Sequence, residues 1–101
     1  MENLTQYKPE ILKIFKRFLD GEINTISDLT IELYLVEEKI KSENVAPNEN
    51  SSLWIRYFKG YTLATTISDI YNDLNSPTNY VYTINCISIA VESNELEVYY
   101  S

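Results

Sequence analysis

Histidine is absent from this chain, cysteine occurs once, and glycine and proline together occupy only five of its 101 positions. Without His there is no triad and no ordinary general base poised near neutral pH. With a single Cys, the common zinc and haem ligand sets cannot be assembled. Two glycines build neither a P-loop nor a dinucleotide-binding turn. Cys86 has no partner in its own chain, which excludes an internal disulfide and fits a reducing compartment. No stretch approaches the ~20 apolar residues of a membrane span. The opening MENLTQYKPEIL has neither the basic start nor the long apolar run of a secretory signal. A cytoplasmic protein is the expectation.

Positive charge is scarce too, and it is unevenly spread. The chain carries a net charge of -7. Residues 1–19 sum to +2, residues 20–38 to -6, residues 39–59 to +2, and residues 60–101 to -5 with no Lys or Arg at all. Two acidic blocks alternating with two mildly basic ones disfavour nucleic acid or an anionic membrane as partner and favour a basic protein, although acidity alone also serves solubility. A hydrophobic share of 45% with 23% charged residues is that of a folding chain, not of an acidic disordered tail. The length suits one domain spanning residues 1–101.

What is present reads first as two helices. Ile11, Leu12, Phe15, Phe18 and Leu19 recur at helical spacing over 7–19, with Pro9 in the first turn and Gly21 at the end. A second helix is expected over 27–42, opened by Thr25 and Asp28 as a capping box and carrying the stripe Ile26, Leu29, Leu33, Val36 and Ile40. The two form a helical hairpin, and SENVAPNENSS, residues 42–52 with Pro47, is the longest loop. Residues 53–74 admit two readings. Trp54, Tyr57, Phe58, Tyr61, Ala64, Ile67, Tyr71 and Leu74 lie at helical spacing, which favours helix, while LWIRYF also suits a strand turning at Lys59–Gly60. YVYTINCISIAVE is rich in β-branched and aromatic residues and reads as a strand, with LEVYY as its hairpin partner across ESNE. The expected fold is therefore α+β: an N-terminal helical hairpin, a third helical region and a C-terminal antiparallel β-hairpin. A two-stranded ribbon is marginal alone. It needs a helical cover, a third strand from residues 53–58, or an open edge that pairs with a second copy to give a homodimer.

The candidates for chemistry reduce to carboxylates. Asp28 with Glu32 and Asp69 with Asp73 stand at i, i+4 on the expected helices, close enough to share a cation but also simply to sit on a solvated face. No catalytic residue, metal ligand or cofactor is assigned. Most of the nine Tyr fall on apolar stripes or strands where packing explains them. Trp54, Tyr71 and Tyr99 are the aromatics with a second use, since Trp and Tyr anchor interfaces with few rotamers to freeze. Partner contact is thus assigned to Asp28, Glu32, Trp54, Asp69, Tyr71, Asp73 and Tyr99. Cys86, within a β-branched run, is read as a small buried hydrophobe.

The stretch IFKRFLDGEINTISDLTIEL, residues 14–33, resembles the first part of small bacterial immunity proteins of the colicin D and polymorphic-toxin kind, which begin with a helix, a corner of the FL.G.I type and a second amphipathic helix. The resemblance covers about a fifth of the chain. It implies a small acidic protein that binds and blocks the toxin domain of its own cell, commonly a nuclease, and it carries over no individual contact residue. A nuclease cleft lined with Lys and Arg would accept acidic side chains where phosphates bind. The reading favoured is a non-catalytic immunity-type inhibitor. A phage-encoded inhibitor of a host nuclease and an accessory or structural subunit remain as alternatives.

Overall fold

A computed structural model of the chain describes residues 2–44 and 48–101. Of the loop read over 42–52, positions 45–47 with Pro47 lie outside the described residues. The first helix, α1 (Lys8–Leu19), follows a single 3₁₀ turn at Thr5–Tyr7 and buries Ile11, Leu12, Ile14 and Phe15, while Lys16 and Arg17 occupy its last turn. Pro9 falls in the first turn, where its missing N–H costs nothing. The end of α1 is a Schellman motif: Glu22 N–H donates to Arg17 O at 2.9 Å and Gly21 N–H to Phe18 O at 3.2 Å, with Gly21 at φ 81°. Four residues later α2 (Ile26–Glu43) begins, capped by the Thr25 side chain, which accepts from Asp28 N–H at 3.0 Å. Leu29, Leu33, Val36 and Ile40 are buried as the stripe requires. The expected helical hairpin is present.

Residues 53–56 then form β1 (Leu53–Arg56), so helix fails there and the strand reading holds. The helix expected in this region is α3 (Ile67–Asn75), which starts at the Thr66 cap. The larger correction concerns residues 80–91. They form a helix, α4 (Tyr80–Ser93), and leave the last strand, β2 (Glu97–Tyr100), to pair antiparallel with β1 in the register Leu53 opposite Tyr100 and Ile55 opposite Val98. The reason lies in packing: Thr83, Cys86, Ile87 and Ala90 are buried at i, i+3, i+4 and i+7, against α1 and α3. Strand preference for β-branched residues amounts to tenths of a kcal/mol each, less than the burial of one such face. The turn in ESNE is real, but Asn94, at φ 55°, ends a helix: Glu95 N–H reaches Ala90 O at 3.0 Å in a second Schellman arrangement.

The helices pack in a closed cycle, α1 on α2 and α4, and α3 on α2 and α4. Their buried apolar residues join the inner face of the sheet in one cluster that includes Leu53, Ile55, Leu96 and Val98. At the last strand Leu96 and Val98 are buried and Glu95 is exposed, whereas Glu97, Tyr99 and Tyr100 are all half-buried. Neither edge of the sheet is open at its centre. Leu4 N–H donates to Val98 O at 2.8 Å, and Val98 N–H donates to Asn3 Oδ1 at 3.0 Å. On the other side Ile55 and Thr65 exchange two backbone bonds of 2.8 Å. The backbone groups of Val98 and Ile55 at the two edges are thus used within the chain.

Two expected outcomes follow from this packing. No atom stands within 4 Å of a Cβ added at Gly21, so the cost of a side chain there is one of backbone conformation. Gly21→Val and Asn94→Val each lower stability by about 1–2 kcal/mol, and Gly21→Asn by less, as read by thermal denaturation. An unchanged melting temperature for both Val variants would contradict the left-handed caps. Tyr57 is 2% exposed and its hydroxyl is enclosed without a hydrogen-bond partner among the described residues, so burial pushes its pKa well above 10, and nearby Thr65 offsets only part of this. A raised folded-state pKa contributes stability below the unfolded value of about 10 that is lost as the pH climbs above it. Stability accordingly falls as the pH climbs above about 10 and falls less steeply in Tyr57→Phe, which at neutral pH differs from the parent by less than about 1 kcal/mol. Denaturant titrations across that range check both statements.

Candidate protein-binding site

The seven residues singled out in the sequence do not form one site. Trp54 and Tyr99 face each other across the sheet on its outer side, where Arg56 and Glu97 form the next pair. Trp54 Nε1 donates to Ser101 O at 3.4 Å, the Tyr99 hydroxyl donates to the Glu97 carboxylate, and Arg56 Nε lies 3.6 Å from Glu97. The hydrogen bond to Glu97 is the main reason the Tyr99 pKa is raised. Arg56 Nε has no hydrogen-bond partner among the described residues, and both aromatics are half-buried.

The carboxylates separate as well. Asp69 completes a capping box with Thr66: its side chain accepts from Thr66 N–H at 3.0 Å, while its own N–H donates to Thr66 Oγ1 at 3.2 Å. Asp73 is half-buried, and its charge contributes to the raised pKa of Tyr57. Glu32 lies toward α1, 3.7 Å from Arg17. Only Asp28 is exposed with no ion pair or side-chain hydrogen bond to its carboxylate among the described residues. Neither i, i+4 pair thus stands as two free carboxylates. Among the described residues no group of three or more His, Cys, Asp or Glu is placed to hold a metal ion. The Cys86 thiol is buried and pushed up in pKa by that burial, which Tyr82 and Tyr61 offset only in part, so it carries little thiolate at neutral pH.

What the fold does assemble is a face that sequence reasoning passed over. On the solvent side of α2, Ile31 is 57%, Tyr34 45% and Leu35 61% exposed. Tyr71 of α3, 41% exposed, lies beside Tyr34, whereas Leu35 lies toward α1 beside Lys13 and Arg17. Tyr34 and Tyr71, with Thr30 and Ser68, line a shallow groove of about 240 Å³ between the two helices. Asp28 stands one turn before Ile31 and Glu38 one turn after Tyr34, and neither is ion-paired among the described residues. The result is an aromatic and aliphatic strip with an unpaired acid near each end. Tyr71 is the only aromatic from the sequence assignment to take part in it. The signal was available, because Ile31, Tyr34 and Leu35 are apolar at i, i+3 and i+4 yet off the buried stripe, and a helix with a second apolar stripe has more to cover than its own core.

No family model, curated protein or solved structure matches the chain in the three comparisons. The geometry alone therefore carries the functional reading.

The acids differ in consequence, and mutation separates them. Asp69→Ala and Thr66→Ala each cost about 1 kcal/mol through the lost cap of α3, whereas Asp28→Ala changes stability by no more than about 0.5 kcal/mol. Chemical denaturation of the three variants checks this order, and equal costs would remove the distinction between capping and free acids.

Proposed function

We propose that this chain is a non-catalytic inhibitor of the immunity type, which acts in the cytoplasm by binding and blocking a basic toxin domain, a nuclease in the form that best fits the charge. The observation that carries this reading is the exposed face of α2, Ile31, Tyr34 and Leu35, with Tyr71 of α3 beside Tyr34 and with Asp28 and Glu38, unpaired among the described residues, at its ends. Exposed aromatics side by side supply contact area at small entropic cost. Acids around them make productive encounter with a cationic surface fast and orient it. The net charge of -7 extends that attraction beyond the strip. Resemblance of residues 14–33 to the corner of small immunity proteins supports the same reading, since α2 of that hairpin carries most of the strip. Among the described residues no helix is long and apolar enough to cross a membrane.

The roles divide between rate and lifetime. Tyr34→Ala and Tyr71→Ala each accelerate dissociation from the cognate basic toxin domain by at least about thirtyfold, the equivalent of roughly 2 kcal/mol. Asp28→Asn combined with Glu38→Gln slows association and flattens its dependence on salt, with little change in dissociation. Stopped-flow binding with the purified toxin domain measures both, and a nuclease assay reports loss of cutting as the inhibitor is added. Failure of the parent chain to bind or inhibit that domain, or equal kinetics for all four substitutions, would overturn the reading.

A further inference from the structure

α4 exposes a second apolar face, Val81, Tyr82 and Ile89, whose one acid, Glu92, lies at its end. On the α2–α3 side an acid is instead set into a pocket. The groove between Tyr34 and Tyr71 continues past Tyr34 into a pocket of about 140 Å³ lined by Tyr34, Glu37, Ser52, Thr66, Ile67 and Ser68. Glu37 is fixed there, because one oxygen of its carboxylate accepts from Leu53 N–H at 2.9 Å. Four glutamates are half-buried among the described residues, and three of them have a base: Glu10 with Lys39 at 3.2 Å, Glu32 with Arg17 at 3.7 Å and Glu97 with Arg56 at 3.6 Å. Glu37 has none among the described residues, although Lys41 follows it by one turn. Half-buried Asp73 also lacks a base, but no hydrogen bond holds its carboxylate among the described residues. A partly desolvated carboxylate without a counter-charge stands at a cost that a cation from outside offsets.

We infer that this pocket binds an arginine side chain of the basic partner, an inference that rests on the proposed function. The chemistry of the walls selects a guanidinium. Its flat face suits the ring of Tyr34, and its several N–H donors need more than one acceptor close together. Glu37 supplies a charged acceptor, and the hydroxyls of Ser52, Ser68 and Tyr34 supply neutral ones. Lysine, with a compact and strongly hydrated ammonium, gains less from a ring beside a fixed carboxylate. Glu37 disfavours an anion, and the positive end of α3, which opens at Thr66, is already met by Asp69 in its capping box. No Lys or Arg follows residue 59, so α3 brings no base of its own to the pocket.

Titration of the purified chain with N-acetylarginine amide, followed by backbone amide chemical shifts, tests the inference without the toxin. Shifts are expected at Tyr34, Glu37, Leu53 and Ser68. They weaken as salt is raised and are smaller with N-acetyllysine amide at the same concentration. Glu37→Gln keeps an oxygen for Leu53 N–H, retains the parent's melting behaviour and weakens the binding at least about tenfold. Ser68→Lys, at an exposed position away from the Leu53 tie, sets an ammonium at the mouth of the pocket and abolishes the shifts. In the toxin complex, Glu37→Gln accelerates dissociation by a similar factor. Absent shifts, shifts that both variants leave unchanged, or an equal response to the lysine amide overturn the inference and leave the proposed function standing. So does a toxin complex indifferent to Glu37→Gln. A chain that responds to the arginine amide but never binds the toxin overturns the proposed function, and the occupant assigned here with it.

Discussion

The pairing of β1 with β2 is the constraint on which the remaining structure depends. It joins residues 53–56 to residues 97–100, so everything between them, α3 and α4 included, must leave the sheet and return to it. With 40 residues between the strands, closing that loop costs several kcal/mol of chain entropy before any pairing bond repays it. Two short strands cannot offset this alone. Leu53, Ile55 and Val98, all fully buried, turn the sheet's inner face into part of the helical core, and Leu4 and Thr65 use the backbone groups left over at its two edges. The sheet is therefore stable because the helices are packed, and the α3–α4 pair is held on α1 and α2 because the sheet is closed. A further tie runs from α2 itself, where the Glu37 carboxylate accepts from Leu53 N–H at 2.9 Å.

This arrangement explains which parts were legible in the sequence. The α1–α2 hairpin could be read closely because each of its signals is local: a Gly for a left-handed cap, a Thr for an N-cap, an apolar stripe at period 3.6. The last strand was legible as LEVYY for the same reason, although the strand it pairs with was not. α4 was not, since its residues are apolar nearly all round and β-branched in the middle. The small set that points inward, Thr83, Cys86, Ile87 and Ala90, looks unremarkable until two other helices are placed against it. β1 suffered the converse error, because its aromatics happen to continue the helical spacing of α3. In both cases the deciding contacts are distant in sequence, and local preference is too weak to anticipate them.

The candidate site was legible in its chemistry more than in its membership. Acidity and exposed aromatics were both foreseeable, but Asp69 is engaged in a cap, Glu32 lies beside Arg17, and Trp54 and Tyr99 are engaged within the outer face of the sheet. A carboxylate in a list of acids says nothing of whether its hydrogen bonds are already made. Tyr71 and Asp28 remain, joined by three apolar residues of α2 whose importance lies in their being superfluous to the core.

The two exposed apolar faces then invite a comparison that charge decides. The α2 strip is edged by Asp28 and Glu38, so any surface that covers it must approach two unpaired carboxylates and is favoured if it is cationic. The α4 face carries a single acid, Glu92, exposed one turn after Ile89, so a cationic partner gains less there. Burying each face removes a similar kind of surface from water, and the apolar contribution does not distinguish one partner from another. Electrostatics does, by raising the cost of every wrong pairing.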